Sequence, residues 1–118
     1  MVDELSRAFA ALADPTRRDL LARLSLADAT VGELAAPYDV TVQAVSKHVK
    51  VLQEAGLVSR DGSSHRRPVH LEAAVFDLMT QWIERYRSQA EERYRRLDAV
   101  LAAMDDAANP DHPRQESA

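Results

Sequence analysis

The chain has 118 residues, 46% of them hydrophobic and 29% charged, which is an ordinary balance for one globular domain with its own core. It contains no cysteine, so disulfides, thiolate metal sites and cysteine nucleophiles are excluded. There is no long uncharged apolar run and no basic, apolar leader, so we expect a cytoplasmic protein with no membrane partner.

Charge is unevenly distributed along the chain, whose formal net charge is −4. Residues 41–70 are net +3 and the remainder is net −7. The charges in that segment are Lys47, Lys50, Arg60, Arg66 and Arg67 against Glu54 and Asp61. A cationic patch on an acidic body is compatible with oriented docking to a polyanion.

The first half of the chain predicts short helices with clear start signals. Leu5, Phe9 and Leu12 recur at helical spacing. Asp14 followed by Pro15 then predicts a new helix through "TRRDLLARL", because the carboxylate can cap free amides and proline fits the first helical position. Its expected buried stripe is Leu20, Leu21 and Leu24.

Two further helices follow, separated by a tight turn. Thr30 and Glu33 have the spacing of a capping box at the start of "VGELAAP", which Pro37 ends. After "PYDV", Thr41 is again a cap residue, and the helix that it opens should last until Gly56. Two short helices joined by so tight a turn predict a helix-turn-helix.

The second half predicts a hairpin and then one long helix. "LVSR" and "RRPVHL" are strand-like runs around "DGSS", although Pro68 confines the second run to a sheet edge. Apolar positions from Glu72 to about Met104 keep a helical period, which makes a helix of roughly 50 Å. The predicted fold is therefore mainly α with a small β-hairpin wing: a winged helix-turn-helix with a long C-terminal dimerisation helix. We expect a DNA-binding and dimerisation domain over residues 1–104 and a disordered polar tail over 105–118.

The helix after Thr41 has two different sides on a helical wheel. The side expected to enter the core carries Val42, Val45, Val49 and Leu52. The opposite side carries Gln43, Lys47 and Lys50, with Ser46 and His48 at its edges. A helix in the DNA major groove needs base-reading polar groups and cations for phosphates, and this side has both.

These side chains suit particular contacts. Gln43 can pair with adenine, Ser46 can donate or accept, and Lys47 can reach guanine or a phosphate. His48 and Lys50 are better placed for the DNA backbone. The alternative is an ordinary solvated helix face.

The sequence also resembles a known family. "ALADPTRRDLLARL", "VGELA", "AVSKHVKVLQEAGLV" and the long helix with "WIERYR" look like the ArsR-type winged-helix repressors, over about residues 5–103. The resemblance implies a homodimeric DNA-binding repressor, paired through its first and last helices. The groove-facing positions that it implies are Thr41, Gln43, Ser46, Lys47 and His48.

This chain departs from the family pattern at two places near the turn. Relatives usually have glycine where Asp39 stands, so Asp39 is expected to adopt a left-handed conformation. Many members have proline where this chain has Gln43, which adds a possible base contact.

The hairpin is a second candidate for DNA contact. Arg60, His65, Arg66 and Arg67 flank the "DGSS" turn, where a hairpin tip could reach phosphates or the minor groove. The alternative is a solvated loop with arbitrary charges.

The long helix predicts a homodimer, because a small three-helix core cannot cover its apolar surface. The residues expected at the interface are Leu5, Phe9, Val75, Met79, Trp82, Tyr86 and Tyr94. Packing in the chain's own core is the alternative for Trp82. A two-fold dimer should read an inverted repeat with half-sites about one helical turn apart.

Other functions are less well supported. A metal-responsive repressor using His and carboxylate ligands remains an alternative, but His65, His70 and His112 have no convincing ligand spacing. No enzyme motif is present, and no cofactor or small-molecule inducer is indicated. A protein-interaction scaffold with the same fold is the other alternative.

Overall fold

The computed structural model describes residues 3–62, 64 and 66–108. The chain forms two compact units, Met1–Gln81 and Trp82–Ala118. The elements in chain order are α1 (Glu4–Leu12), α2 (Pro15–Leu24), α3 (Val31–Ala35), α4 (Val42–Glu54), β1 (Val58–Ser59), β2 (His70–Leu71) and α5 (Ala73–Ala108).

The predicted cap residues start the helices. Asp14 Oδ2 accepts a hydrogen bond from the Arg17 amide at 3.0 Å at the start of α2, with Pro15 as its first residue. The Thr30 and Glu33 side chains form the reciprocal capping box of α3. Thr41 Oγ1 accepts from the Ala44 amide at 3.1 Å and opens α4. These helix starts are confirmed, and each cap satisfies an amide that the helix leaves without a partner.

Helix α4 lies at the centre of the first unit, where it contacts α1, α2, α3 and β1. The largest fully buried side chains are Leu20, Leu34, Leu52, Leu57, Val31, Val45, Val49 and Val69. They come from α2, α3, α4 and the segments next to the strands. The predicted stripe of Leu20, Leu21 and Leu24 is buried as expected.

A glycine ends α4 and redirects the chain into the wing. Gly56 has φ +77°, and its amide donates to the Gln53 carbonyl at 3.1 Å. The Leu57 amide donates to the Leu52 carbonyl at 3.0 Å, and both leucines are fully buried. This is a Schellman cap with its hydrophobic contact, so the predicted end of α4 is confirmed.

The wing sheet is shorter than its sequence pattern predicts. Strands β1 and β2 pair antiparallel with Val58 opposite Leu71 and Ser59 opposite His70. Pro68 precedes β2 rather than lying within it, and Val69 forms an isolated bridge with Ala29. Proline has no amide to donate, so ladder pairing begins after it.

The first turns of α5 belong to the core of the first unit. Val75 and Met79 are only 6% and 4% exposed, and they pack in the same cluster as Leu52 and Leu57. Leu5 and Phe9 are half-buried against this cluster. The structure thus gives Val75 and Met79 an intrachain position, in place of the expected interface with a second copy.

The second unit exposes a long apolar stripe on α5. Its members recur every three or four residues: Ile83, Tyr86, Ala90, Tyr94, Leu97, Leu101 and Met104. Tyr94 and Met104 are 67% and 62% exposed, and Trp82, 42% exposed, lies with its ring centroid 4.8 Å from that of Tyr86. An apolar surface of this length is typical of an interaction site.

Paired charges lie alongside that stripe. Arg87 forms salt bridges with Glu84 at 2.6 Å and Glu91 at 2.5 Å. Arg95 lies 3.8 Å from Glu91 and 3.5 Å from Glu92. The hydrogen bond from Arg87 is the main reason that the pKa of Glu84 is lowered. These three- and four-residue pairs support a solvated helix face.

Helix α5 continues past Met104 to Ala108, the last described residue. Residues 105–108, which the sequence pattern assigned to a disordered tail, are therefore helical. Residues 109–118 lie outside the described part of the chain.

Replacement of Gly56 by alanine should destabilise the protein more than the matched Gly62→Ala change. Both glycines have positive φ, +77° and +73°. A Cβ on Gly56 would also lie 2.9 Å from Val75 Cγ2, whereas one on Gly62 would meet nothing within 4 Å. We expect Gly62→Ala to lower the free energy of unfolding by about 1–2 kcal/mol, because alanine is disfavoured in a left-handed backbone conformation. Gly56→Ala should cost roughly 1–3 kcal/mol more because of the clash.

Urea unfolding of the two variants, monitored by circular dichroism, measures this difference in free energy. Equal losses would show that the core next to Val75 accommodates the added methyl group without cost.

Candidate nucleic-acid interface

Helix α4 has one buried and one exposed side. Val45, Val49 and Leu52 are 0% exposed, which fixes the rotation of the helix about its axis. Among the predicted DNA-contacting residues, Thr41, Gln43, Lys47 and Lys50 are exposed, and Ser46 and His48 are half-buried. The structure therefore brings all six predicted positions of this helix to its outer side or the border of that side.

Val42 differs from its predicted position. The helical wheel groups it with the buried valines, but its side chain is 37% exposed. It is the first residue of α4, directly after the Thr41 cap. The core does not extend far enough to cover this first turn, so Val42 adds an apolar group to the exposed end of the helix.

The turn between α3 and α4 does not need a left-handed residue. Asp39 has no positive φ, so the expectation for this position was wrong. Tyr38 donates a hydrogen bond from its hydroxyl group to Asp19 on α2. The Arg23 guanidinium lies 5.5 Å from the Tyr38 ring centroid and donates to the Leu34 carbonyl at 2.6 Å. These contacts connect the turn to α2 and define its path by side-chain interactions.

His48 connects α4 to the start of α2. Its Nδ1 atom lies 3.3 Å from Arg17 Nη1 and 3.8 Å from Asp14 Oδ2. The Arg17 backbone amide is the main reason that the pKa of Asp14 is lowered, and the positive charge of Arg17, with that of His48 when its ring is protonated, adds to the effect. The Asp14 carboxylate thus combines helix capping with an electrostatic contact to the candidate interface.

A cleft separates α4 from the wing. It has a volume of about 450 Å³ and is lined by Ser46, Lys50, Gln53, Glu54, Arg60 and Gly62. Arg60 is half-buried, and its Nε and Nη1 atoms are buried without a hydrogen-bond partner among the described residues. Two cations and one carboxylate give this cleft a net positive charge.

The tip of the wing carries exposed cations. Arg66 and Arg67 are exposed, and their amides donate to the Ser64 side chain and carbonyl at 3.2 Å and 3.1 Å. Gly62 has φ +73°, which allows the chain to turn before Ser64. His65, the remaining predicted wing contact, lies outside the described residues.

The described part of the chain contains neither a metal-binding cluster nor a membrane-spanning helix. Residues 3–62, 64 and 66–108 contain no group of three or more His, Asp or Glu side chains arranged to hold a metal ion. His70 instead pairs with Asp28, with 2.7 Å between Nδ1 and Oδ2. None of the described helices has the length and apolarity needed to span a membrane.

Comparison with known proteins agrees with this fold. A helix-turn-helix domain family matches residues 12–61. The HTH-type transcriptional regulator Rv2034 of Mycobacterium tuberculosis is 37% identical over 91 residues, which cover 77% of this chain and 85% of that protein. An ArsR-like transcriptional regulator from Rhodococcus sp. RHA1 has a TM-score of 0.68 and 30% identity, over 82% of this chain and 92% of that chain.

The chain belongs to the ArsR-type family of winged helix-turn-helix transcriptional regulators. This confirms the family resemblance and the fold class expected from the sequence. The transcriptional repressor SdpR of Bacillus subtilis is a further relative of this ArsR-type regulator. It is 33% identical over 55 residues, which cover 47% of this chain and 61% of that protein.

Sequence reasoning missed two residues of the candidate interface. Val42 could have been recognised from its position directly after a cap residue, where first-turn side chains are often uncovered. Arg17 precedes His48 by 31 residues, and no local pattern in "PTRRDLL" indicates this contact.

Proposed function

We propose that this ArsR-type regulator is a cytoplasmic homodimeric repressor that binds an inverted repeat in double-stranded DNA. The observation that carries the proposal is the two-sided packing of α4. Val45, Val49 and Leu52 are fully buried, while Gln43, Lys47 and Lys50 are exposed. A helix held in this way presents donors, acceptors and cations outward, as docking in the major groove requires.

Each predicted contact residue of α4 and its Thr41 cap has a proposed role. Gln43 pairs with adenine, and Lys47 contacts guanine or a phosphate. Thr41 and Ser46 add hydroxyl groups near the same bases. His48 and Lys50 contact the DNA backbone, which sets the position of the helix in the groove.

The wing supplies a second set of contacts. Arg66 and Arg67 are exposed at its tip and are proposed to contact phosphates or the minor groove, together with His65. Arg60 lines the cleft beside Lys50, where its charge adds to the attraction for the DNA backbone.

The homodimer is proposed from the apolar stripe of α5. Tyr86, Tyr94, Leu97, Leu101 and Met104 are each about half exposed or more. Aromatic and branched side chains at this spacing can pack against the same stripe of a second copy. Trp82, Leu5 and Phe9 are retained as candidate interface residues, whereas Val75 and Met79 are not, because they are buried in their own chain.

Repression is proposed rather than activation because of the similarity to a Bacillus subtilis repressor. Residues 1–104 are proposed to contain both the DNA-binding and the dimerisation surfaces. A protein-interaction scaffold without DNA binding is the competing function, and a DNA titration distinguishes the two.

Binding to DNA upstream of the protein's own gene should be saturable and should weaken steeply as the salt concentration rises. Lys50→Ala should reduce the slope of log K against log salt by about 0.9 for each lysine removed, and so by about twice that per homodimer. Lys50→Arg is the matched control and should keep the slope. Gln43→Ala should instead relax the preference for one base, with a loss of roughly 1–3 kcal/mol in binding free energy at that position.

Fluorescence anisotropy over a series of salt concentrations measures these slopes. The phosphate role of Lys50 is wrong if Lys50→Ala keeps the wild-type slope. Binding that neither saturates nor depends on salt would favour the scaffold.

Leu101→Glu should convert the homodimer to a monomer, because it places a charge within the apolar stripe of α5. Glu92→Gln is the control, since it lies on the paired-charge face and removes a charge there. Sedimentation equilibrium should give twice the chain mass of 13.1 kDa for the wild type and for Glu92→Gln. A wild-type protein that sediments as a single chain would exclude the homodimer.

A further inference from the structure

Arg17 is held in place by the end of helix α1. Its Nε atom donates to the Ala11 carbonyl at 2.7 Å, and its Nη2 atom donates to the Ala10 carbonyl at 3.3 Å. The remaining Nη1 atom lies 3.3 Å from Nδ1 of His48 on α4. One guanidinium group therefore connects the end of α1 and the start of α2 to the His48 imidazole on the candidate DNA-binding helix.

This contact fixes the proton on the neutral imidazole. A guanidinium group only donates hydrogen bonds, so the His48 Nδ1 atom must accept and carry no hydrogen. The hydrogen of the neutral ring is then on Nε2. Among the described residues no hydrogen bond to Nε2 is formed, and the His48 side chain is 29% exposed.

We infer that Arg17 is a positioning residue that holds His48 in the Nε2–H tautomer and thereby presents an N–H donor to a DNA phosphate. This inference rests on the proposed function. Phosphate oxygens accept hydrogen bonds but do not donate them, so only this neutral tautomer can bind one through Nε2. Without Arg17, the hydrogen of the neutral ring is shared between Nδ1 and Nε2. Only a fraction of the protein then carries the Nε2–H group that binds a phosphate.

Asp14 is the competing group at the same nitrogen. Its Oδ2 atom lies 3.8 Å from Nδ1, which is beyond hydrogen-bond distance, and it already accepts from the Arg17 amide at 3.0 Å. Asp14 would favour a hydrogen on Nδ1, whereas Arg17 requires a lone pair there. Arg17 Nη1 is closer to Nδ1 than Asp14 Oδ2 is, so the contact with Arg17 determines the tautomer of the neutral ring.

Long-range proton–nitrogen correlation NMR on the DNA-free protein, at a pH where His48 is neutral, measures the tautomer directly. The wild type should show a protonated Nε2 and an unprotonated Nδ1. Arg17→Lys keeps the positive charge but lacks the planar fork whose three nitrogen atoms make these contacts, so it should show a mixture of the two tautomers. Retained dispersion of its amide spectrum shows that the variant is folded. A wild-type ring protonated at Nδ1 overturns the inference without any variant.

DNA titrations then test the consequence. Arg17→Lys should weaken binding by the inverse of the remaining Nε2–H fraction, which is about twofold per protomer for an even mixture of the two tautomers. In a His48→Gln background, the same change should have little effect, because the glutamine amide donates from a position similar to Nε2 without help from Arg17. An equal loss in both backgrounds overturns the positioning role. If the tautomer is as expected but wild-type protein binds no DNA, the proposed function fails and the tautomer assignment stands.

Discussion

The structure depends most on the packing of α4, which contacts α1, α2, α3 and β1 along one side. Burial of Val45, Val49 and Leu52 contributes roughly 1.5–3 kcal/mol for each side chain. A rotation of the helix by two residues, about 200°, would expose these groups and bury Gln43, Lys47 and Lys50 without partners, which costs more still. The surface that faces outward is therefore determined by the core, and the chemistry of the candidate interface follows from the core's shape.

Contacts at both ends of α4 further restrict the orientation of this helix. The Thr41 cap begins the helix, and the Schellman motif at Gly56 ends it and leads directly into the wing. As a result, Lys50 and Arg60 line the same cleft although they are on different elements. Arg17 adds a side-chain connection from α1 and α2 to His48. The cationic groups of an acidic chain are thus concentrated by local geometry, and the net charge of −4 does not describe the candidate interface.

Much of this could be predicted from the sequence because its signals are local. A cap residue acts on amides two or three positions away, so Asp14, Thr30 and Thr41 predict helix starts reliably. The failures concern interactions between distant segments. Asp39 avoids a left-handed backbone in a turn where Tyr38 and Arg23 form contacts, and the contact between Arg17 and His48 leaves no periodic pattern. Val75 continues an apolar period that cannot show whether the covering surface belongs to the same chain or to a second copy.

Hydroxyl-radical footprinting of the DNA upstream of the protein's own gene is the most direct test of the central claim. A paired assembly whose α4 helices enter successive major grooves should protect two patches about one helical turn apart, related by an inverted repeat. One protected patch, or protection that spreads evenly along the fragment, would contradict a two-fold arrangement of outward-facing α4 helices.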